Sequence, residues 1–275
     1  MMKHLNKKAL IIRFLFLFFF LVGIFETVCA QDPIAQIKVN TGLYERNSTP
    51  VSISLEELDY PFNDRPFFLV ETTGGKEEEV KCQMEAGNPS RIWWILSGTT
   101  PENTQRTYEL RAGDKNQTGI SSMDYSQDNE SLVLKKGNQP VLGYRHAMYP
   151  APEGVDELYA RSAYIHPLYS PEGNVLTRIQ PPDHYHHYGI WNPWTKTHFD
   201  GKAIDFWNLG KGEGTVRFNG FVSKVKGPVY SGFKAHQKHI DFKGDKAAIN
   251  ELWDVRVWNV SVHGKDVFLW DLSTT

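Results

Sequence analysis

Cysteine and excess charge are both scarce in this sequence, and each shortage excludes a class of protein. Only two cysteines, Cys29 and Cys82, occur in 275 residues, so a fold held by a disulfide network is excluded. Lys and Arg number 30 against 32 Asp and Glu residues, and the net charge is -2. Such a balance gives no electrostatic basis for binding a phosphate backbone, so we expect no nucleic-acid partner.

Several common catalytic motifs and any long helical pattern are missing as well. The chain has no G-x-S-x-G nucleophile elbow, no HExxH zinc motif and no Rossmann fingerprint. After residue 30, short alternating runs bounded by Gly, Pro and Asn recur without a helical period. The fold class predicted is therefore all-β.

One long apolar run is present, at residues 14–25. A basic stretch precedes it, and Val28 and Ala30 supply the small residues of a cleavage site. The run is shorter than the ~20 residues that span a bilayer. These features predict a signal peptide over residues 1–30 and a bacterial protein exported to the periplasm or beyond, with no stable membrane span after cleavage. A lipoprotein acylated at Cys29 is the alternative.

The rest of the chain divides at a polar stretch. Residues 116–131 are rich in Asp, Asn, Gln and Ser, which is typical of a linker. We expect a small β-sandwich unit at residues 31–115 and a main β-sandwich, simple or supersandwich-like, at residues 132–275. Because strand-like residues 266–272 end the sequence without a turn back, we expect this domain to be truncated, with an open edge.

Histidine is concentrated in one part of the chain. Five of the ten histidines lie from His166 to His198, most densely in Asp183-His184-Tyr185-His186-His187. In extended backbone alternate side chains share a face, so His184 and His186 should point together and His187 across. His184 and His186 are the predicted general acid and base, tuned by Asp183 or Asp205.

The same imidazoles allow other roles. A divalent metal could be held by ligands drawn from His166, His184, His186 and His187. Acid-base catalysis without a metal is equally open, so no cofactor is required. A structural role under the neighbouring tryptophans is the third alternative. The four histidines outside the cluster and after residue 30 are interpreted as ordinary core or surface residues: His146, His236, His239 and His263.

Aromatic and polar residues surround the histidines. Indole faces can stack on the C–H face of a sugar while amides and carboxylates bind its hydroxyls. A guanidinium at Arg161 could bind a carboxylate or an oxyanion. A sandwich core with polar loop residues is the plainer alternative. The predicted substrate-binding residues are Trp191, Trp194, Trp207, Asn192 and Arg161, and the predicted partner is a carbohydrate or modified sugar.

Four segments carry a resemblance to a known family: residues 164–173 (YIHPLYSPEG), 182–187 (PDHYHH), 189–191 (GIW) and 204–207 (IDFW). Through them the chain, from about Val141 onward, resembles the DUF6807 family, also labelled a methane oxygenase (PmoA) family, and in particular its exported Bacteroidetes members. The resemblance implies an exported β-sandwich protein that takes part in the breakdown of glycans or modified sugars. Methane oxidation is not expected, because particulate methane monooxygenase is an integral membrane complex and no apolar run of ~20 residues follows residue 30.

The expected function is therefore that of a carbohydrate-directed enzyme. The His-rich site would catalyse hydrolysis, elimination or epimerisation of a sugar. A non-catalytic glycan-binding module is the alternative, in which the tryptophans bind and the histidines are structural. Copper-dependent oxidation is disfavoured, since Gln31 at the predicted mature N terminus supplies no histidine brace.

Overall fold

The computed structural model describes residues 33–56, 58, 60–113 and 122–275. In this part of the chain antiparallel strands dominate, accompanied by three short 3-10 helices. The chain from Pro33 to Thr275 forms one compact unit. These features confirm the predicted all-β, sandwich-type fold. The signal peptide predicted for residues 1–30 lies outside the described residues.

The first seven strands form a small two-sheet sandwich. They are β1 (Ala35–Asn40), β2 (Arg46–Ser54), β3 (Phe67–Glu71), β4 (Glu78–Val80), β5 (Cys82–Glu85), β6 (Arg91–Thr100) and β7 (Gln105–Ala112), with a 3-10 helix at Thr73–Gly75. One sheet has the order β1-β7-β3-β4 and the other β2-β6-β5. Period-two alternation in β6 buries Ile92, Trp94 and Leu96 against Leu69 and Tyr108 of the facing sheet.

The remaining strands build the main sandwich. They are β8 (Met123–Gln127), β9 (Ser131–Lys136), β10 (Gln139–Arg145), β11 (Tyr164–Leu168), β12 (Thr197–Phe199), β13 (Lys202–Ile204), β14 (Gly214–Val225), β15 (Tyr230–Asp241), β16 (Lys246–Trp258), β17 (Ser261–Val262), β18 (Lys265–Asp266) and β19 (Leu269–Thr274). Two 3-10 helices lie at Glu157–Tyr159 and Leu209–Lys211. The two sheets have the orders β11-β10-β9-β8 and β14-β15-β16-β19, and β12-β13 and β17-β18 form separate ribbons.

Strand β8 lies inside the segment for which the sequence predicts a polar linker. Met123 is fully buried in the main core and Tyr125 packs against that core, so two apolar residues on one face suffice to add a strand to the sheet. Residues 116–121 of the same segment lie outside the described part. The domain boundaries drawn from the sequence stay a prediction.

The core of the main sandwich becomes polar toward one end of β15. Phe233 and Ala235 are buried among apolar side chains of the facing sheet. The same alternation buries Gln237, His239 and Asp241 further along the strand. Because residues two apart share a face of a sheet, a polar group is built into the interior directly next to the apolar core.

The small and main sandwiches meet along β5. The amide oxygen of Gln83 accepts the backbone N–H groups of Val229 and Tyr230 at 3.0 and 3.1 Å, while its amide nitrogen donates to the Tyr230 carbonyl at 3.1 Å. Beside it, the guanidinium of Arg256 binds Glu85 at 2.9 Å. A buried glutamine with all these bonds made joins the two parts through fixed geometry rather than through apolar area alone.

Among the residues described, no helix has the length and hydropathy needed to cross a membrane.

Candidate functional site

The histidine segment forms two consecutive turns. The His184 N–H donates to the Pro181 carbonyl at 2.8 Å, and the His187 N–H donates to the His184 carbonyl at 2.9 Å. Pro182, the second residue of the first turn, has the φ that such a turn requires. The expectation of an extended segment, with His184 and His186 on one face and His187 across, is therefore wrong.

The turns bring all three imidazoles together. The rings of His184 and His187 stack with centroids 4.8 Å apart and planes 20° apart. The His186 ring stands edge-on, 4.5 Å from His187 and 5.7 Å from His184. His184 is exposed and the other two are half-buried. These three residues are called the imidazole cluster below.

Asp183 fixes the orientation of His184. Its carboxylate lies 3.0 Å from Nδ1 of His184, and both side chains are exposed. The hydrogen bond from His184 is the main reason that the pKa of Asp183 lies below its usual value. Because Nδ1 is engaged, Nε2 is the nitrogen of His184 that is free to act on a ligand.

His186 has a different environment. Burial, followed by the charges of His187 and His184, lowers the pKa of His186 below that of an ordinary histidine. Its imidazole is therefore neutral at pH 7 and can accept a proton. His184 and His186 thus differ in burial and in bonding, as an acid and a base of one site do.

Two indoles lie directly against the imidazole cluster. The rings of Trp191 and Trp207 are 4.5 Å apart at 39°, and they are called the indole pair below. The His187 ring lies 6.1 Å from Trp191 and 6.2 Å from Trp207. The structure therefore brings the predicted acid-base residues and two of the predicted stacking residues into one cluster.

Gly189 positions Trp191 relative to the histidines. The neighbouring backbone of Ile190 pairs with Ile165 of β11 in both directions, at 2.8 and 3.0 Å. Gly189 has a φ of +48°, and a Cβ at this position would lie 2.3 Å from the Ile165 carbonyl oxygen. Only glycine fits so close to the strand, which explains the glycine that precedes Ile190 and Trp191.

Asp205 holds the turn that carries Trp207. Its carboxylate accepts the backbone N–H groups of Trp207 and Asn208 at 2.9 and 3.0 Å and the ammonium of Lys211 at 2.8 Å. Burial acts to raise the pKa of Asp205, but these bonds outweigh it and the pKa lies below the usual value. The contacts suit Asp205 to positioning an indole more than to transferring a proton.

Two predicted site residues lie apart from these rings. The Trp194 side chain is 54% exposed and makes no ring contact within the described residues. His166 bonds through Nδ1 to the Thr177 hydroxyl at 2.9 Å, and burial lowers its pKa. Neither residue shares a ring contact with the imidazole cluster in the part of the chain that is described.

The side chains do not present a formed metal centre. Over the described ranges, no three His, Cys, Asp or Glu residues are arranged to hold a metal ion. The face-to-face stacking of His184 on His187 turns ring planes toward each other, whereas ligands of one ion aim their nitrogen lone pairs at a common point. The assignment of His166, His184, His186 and His187 as metal ligands stays a prediction.

Arg161 lies on the inner side of Trp191. Its guanidinium carbon is 4.4 Å from the Trp191 ring centre, and its backbone is fixed by paired hydrogen bonds with Tyr149 at 2.7 and 3.0 Å. The residue is 0% exposed, and burial lowers its pKa to about 9. Arg161, a predicted substrate-binding residue, thus lies against Trp191, although at a depth that the sequence does not reveal.

Two further buried groups accompany Arg161, and sequence reasoning missed both. His239, interpreted as an ordinary residue, is 0% exposed, and Glu251 of β16 is 4% exposed. Asn192, a predicted substrate-binding residue, donates through Nδ2 to Glu251 at 2.8 Å. The available signal was the period-two alternation of β15 and β16, which puts His239 and Glu251 on the buried faces of their strands.

Fold and candidate site together define an all-β protein of two sandwiches, in which loops of the main sandwich carry a cluster of imidazoles and indoles above a buried arginine. A family model described as "Family of unknown function (DUF6807)" matches residues 131–275, more than half of the chain. The chain belongs to this family, which confirms the resemblance seen in the sequence. No curated protein matches the chain.

Proposed function

We propose that this protein is an exported, carbohydrate-directed enzyme. Export rests on the signal-like sequence of residues 1–30. The observation that carries the proposal is the contact between the imidazole cluster and the indole pair, in which the His187 ring touches both Trp191 and Trp207. Proton-transfer groups next to stacking surfaces are what an enzyme acting on a sugar needs.

His184 and His186 have complementary roles in this proposal. His186, with its lowered pKa, is the base that accepts a proton from the substrate or from water. His184, held through Nδ1 by Asp183, presents Nε2 as the acid toward the leaving oxygen or the reacting carbon. Hydrolysis, elimination and epimerisation all require such a pair, and each histidine typically contributes 10²- to 10⁴-fold to the rate.

The indole pair supplies the binding surface. Trp191 and Trp207 are half-buried, so each keeps part of its ring open to a ligand. A pyranose could stack on this surface with its hydroxyls toward Asn192 and its reacting atoms toward the histidines. Asp205 contributes by holding Trp207 in place.

A non-catalytic glycan-binding module is the second candidate, and a different cavity favours it. A cavity of about 440 Å³ is lined by residues that include Trp93, Trp258, Asp254 and Asp271. The two indoles there are 5.0 Å apart, so this cavity also combines aromatic rings with carboxylates. If it is the sugar site, Trp93 governs binding and the histidines do not.

The test is a screen of the whole exported chain against oligosaccharides, with binding and turnover measured separately. His184→Ala and His186→Ala should each lower turnover by at least about 100-fold while changing affinity only a few-fold. His198→Ala, at an exposed histidine of β12, is the matched control and should leave both unchanged. Full turnover in both cluster variants, or binding abolished by Trp93→Ala alone, would contradict the proposal.

A further inference from the structure

A positive charge is buried without a partner at the inner end of the site. Within the described chain, none of the three guanidinium nitrogens of Arg161 has a hydrogen-bond partner, and the side chain is fully buried. Trp191 covers the face of the guanidinium, which leaves its five N–H donors at the edge. An ion taken out of water in this way costs several kcal/mol unless an anion meets it.

The buried acid near Arg161 is not hydrogen-bonded to it. Glu251 attracts Arg161 electrostatically, but it forms no hydrogen bond with it. One carboxyl oxygen of Glu251 instead accepts Asn192 at 2.8 Å. Burial raises the pKa of Glu251, while the hydrogen bond from Asn192 and the charge of Arg161 act against this rise. In its protonated form Glu251 can donate a hydrogen bond to an anion.

His239 is the third member of this group. It is 0% exposed, its ring lies edge-on to Phe206 at 5.1 Å, and the backbone of Asn192 lies near enough to favour its charged form. Burial, followed by the charge of Arg161, lowers its pKa to about 4. A neutral imidazole has one N–H to donate and adds no second charge. His239 and Glu251 are therefore two buried polar residues within electrostatic reach of Arg161.

We propose that Arg161, His239 and Glu251 form a carboxylate-recognition site, and that the substrate of the imidazole cluster is an acidic sugar, a uronate. The inference rests on the proposed function and names its substrate class. Trp191 links the two parts, since its ring contacts Arg161 on one side and lies 6.1 and 6.4 Å from His187 and His186. Guanidinium and carboxylate pair through two parallel hydrogen bonds, which gives both affinity and selectivity.

The test compares affinities for matched ligands by calorimetry. Oligosaccharides of glucuronate and galacturonate are titrated beside those of glucose and galactose, and acetate serves as a carboxylate without a sugar. The wild-type chain should bind the acidic oligosaccharides at least about tenfold more tightly than the neutral ones and than acetate. Arg161→Met should abolish this preference, and Arg161→Lys, which keeps the charge without the planar fork, should reduce it.

Arg217→Met, at an exposed arginine of β14, is the control and should keep the full preference. If Arg161→Met does not fold, Arg161→Lys still reports the preference. Equal affinity for acidic and neutral oligosaccharides in the wild-type chain would overturn this inference while the proposed function stands. Binding of none of the oligosaccharides, acidic or neutral, would overturn both.

Discussion

The guanidinium of Arg161 lies 4.4 Å from the ring centre of Trp191, so a buried cation and a half-buried indole share one stack. On the outer side of that indole are Trp207 and the imidazole cluster. A substitution of Trp191 should therefore alter the surroundings of both Arg161 and the histidines. The effects of substitutions at these residues should not be additive.

The sequence predicts a substrate-binding role for both Trp191 and Trp194, but the structure places them in different surroundings. Trp191→Ala removes a ring that contacts Arg161, Trp207 and His187, so we expect it to lower the free energy of unfolding by about 3 kcal/mol. Trp194→Ala, at an exposed side chain, should change it by less than about 0.5 kcal/mol. Chemical denaturation of both variants measures this, and equal losses would contradict the stack.

Gly189 should tolerate no side chain. Gly189→Ala would place a Cβ 2.3 Å from the Ile165 carbonyl oxygen at a positive φ, and we expect a loss of more than about 2 kcal/mol. Gly173→Ala is the matched control, because Gly173 also has a positive φ but nothing lies within 4 Å of its Cβ position. It should cost only about 1 kcal/mol. Similar losses for the two variants would show that the contact with β11 is not tight.

His239 should make the protein less stable in acid. Its pKa of about 4 in the folded state lies below the usual 6.5, so between these values the unfolded chain binds the proton and the folded chain does not. The contribution of His239 to the free energy of unfolding is then fully present above pH 6.5 and is lost as the pH drops toward 4. His239→Gln should reduce the stability difference between pH 7.5 and 4.5 by about 2 kcal/mol.

The matched control for this pH dependence is His263→Asn, at an exposed turn position, which should leave the difference as in the wild-type chain. Denaturant titrations at the two pH values supply the measurement. If His239→Gln showed the same stability difference between pH 7.5 and 4.5 as the wild-type chain, the imidazole would not be buried in neutral form.

Glu251 should have the opposite pH dependence. Burial raises its pKa, so the folded chain holds this proton at pH values where the unfolded chain has lost it. Its contribution to stability is therefore greatest below pH 4.5 and declines as the pH rises through the folded-state pKa. Glu251→Gln should stabilise the protein at pH 8 but not at pH 4, and a loss of stability at pH 8 would contradict this account.

The outline of the fold and the position of the site follow from local sequence patterns. Alternation in Ile92, Trp94 and Leu96 predicts a strand with one buried face, and the structure has it. The clustering of His184, His186 and His187 predicts a candidate site, and the three rings lie next to one another, although the predicted opposite orientation of His187 is wrong. In both cases the information lies in residues that are neighbours in the chain.

What the sequence could not supply depends on contacts between distant segments. The orientation of the histidines follows from two turns that begin at Pro181, and prolines are compatible with extended as well as turn conformations. Arg161, His239 and Glu251 come from three separate segments of the chain. No local sequence pattern predicts that an indole will cover the arginine. Long-range packing decides such burial.

The most direct test of the central claim locates a bound sugar on the protein. NMR spectra of the side-chain rings of histidine and tryptophan are recorded while the oligosaccharide selected by the screen is added to the whole chain. We predict that the signals of His186, His187, Trp191 and Trp207 shift together, with the same dissociation constant, and that those of His263 do not. Shifts confined to Trp93 and Trp258, with the cluster histidines unchanged, would contradict the account.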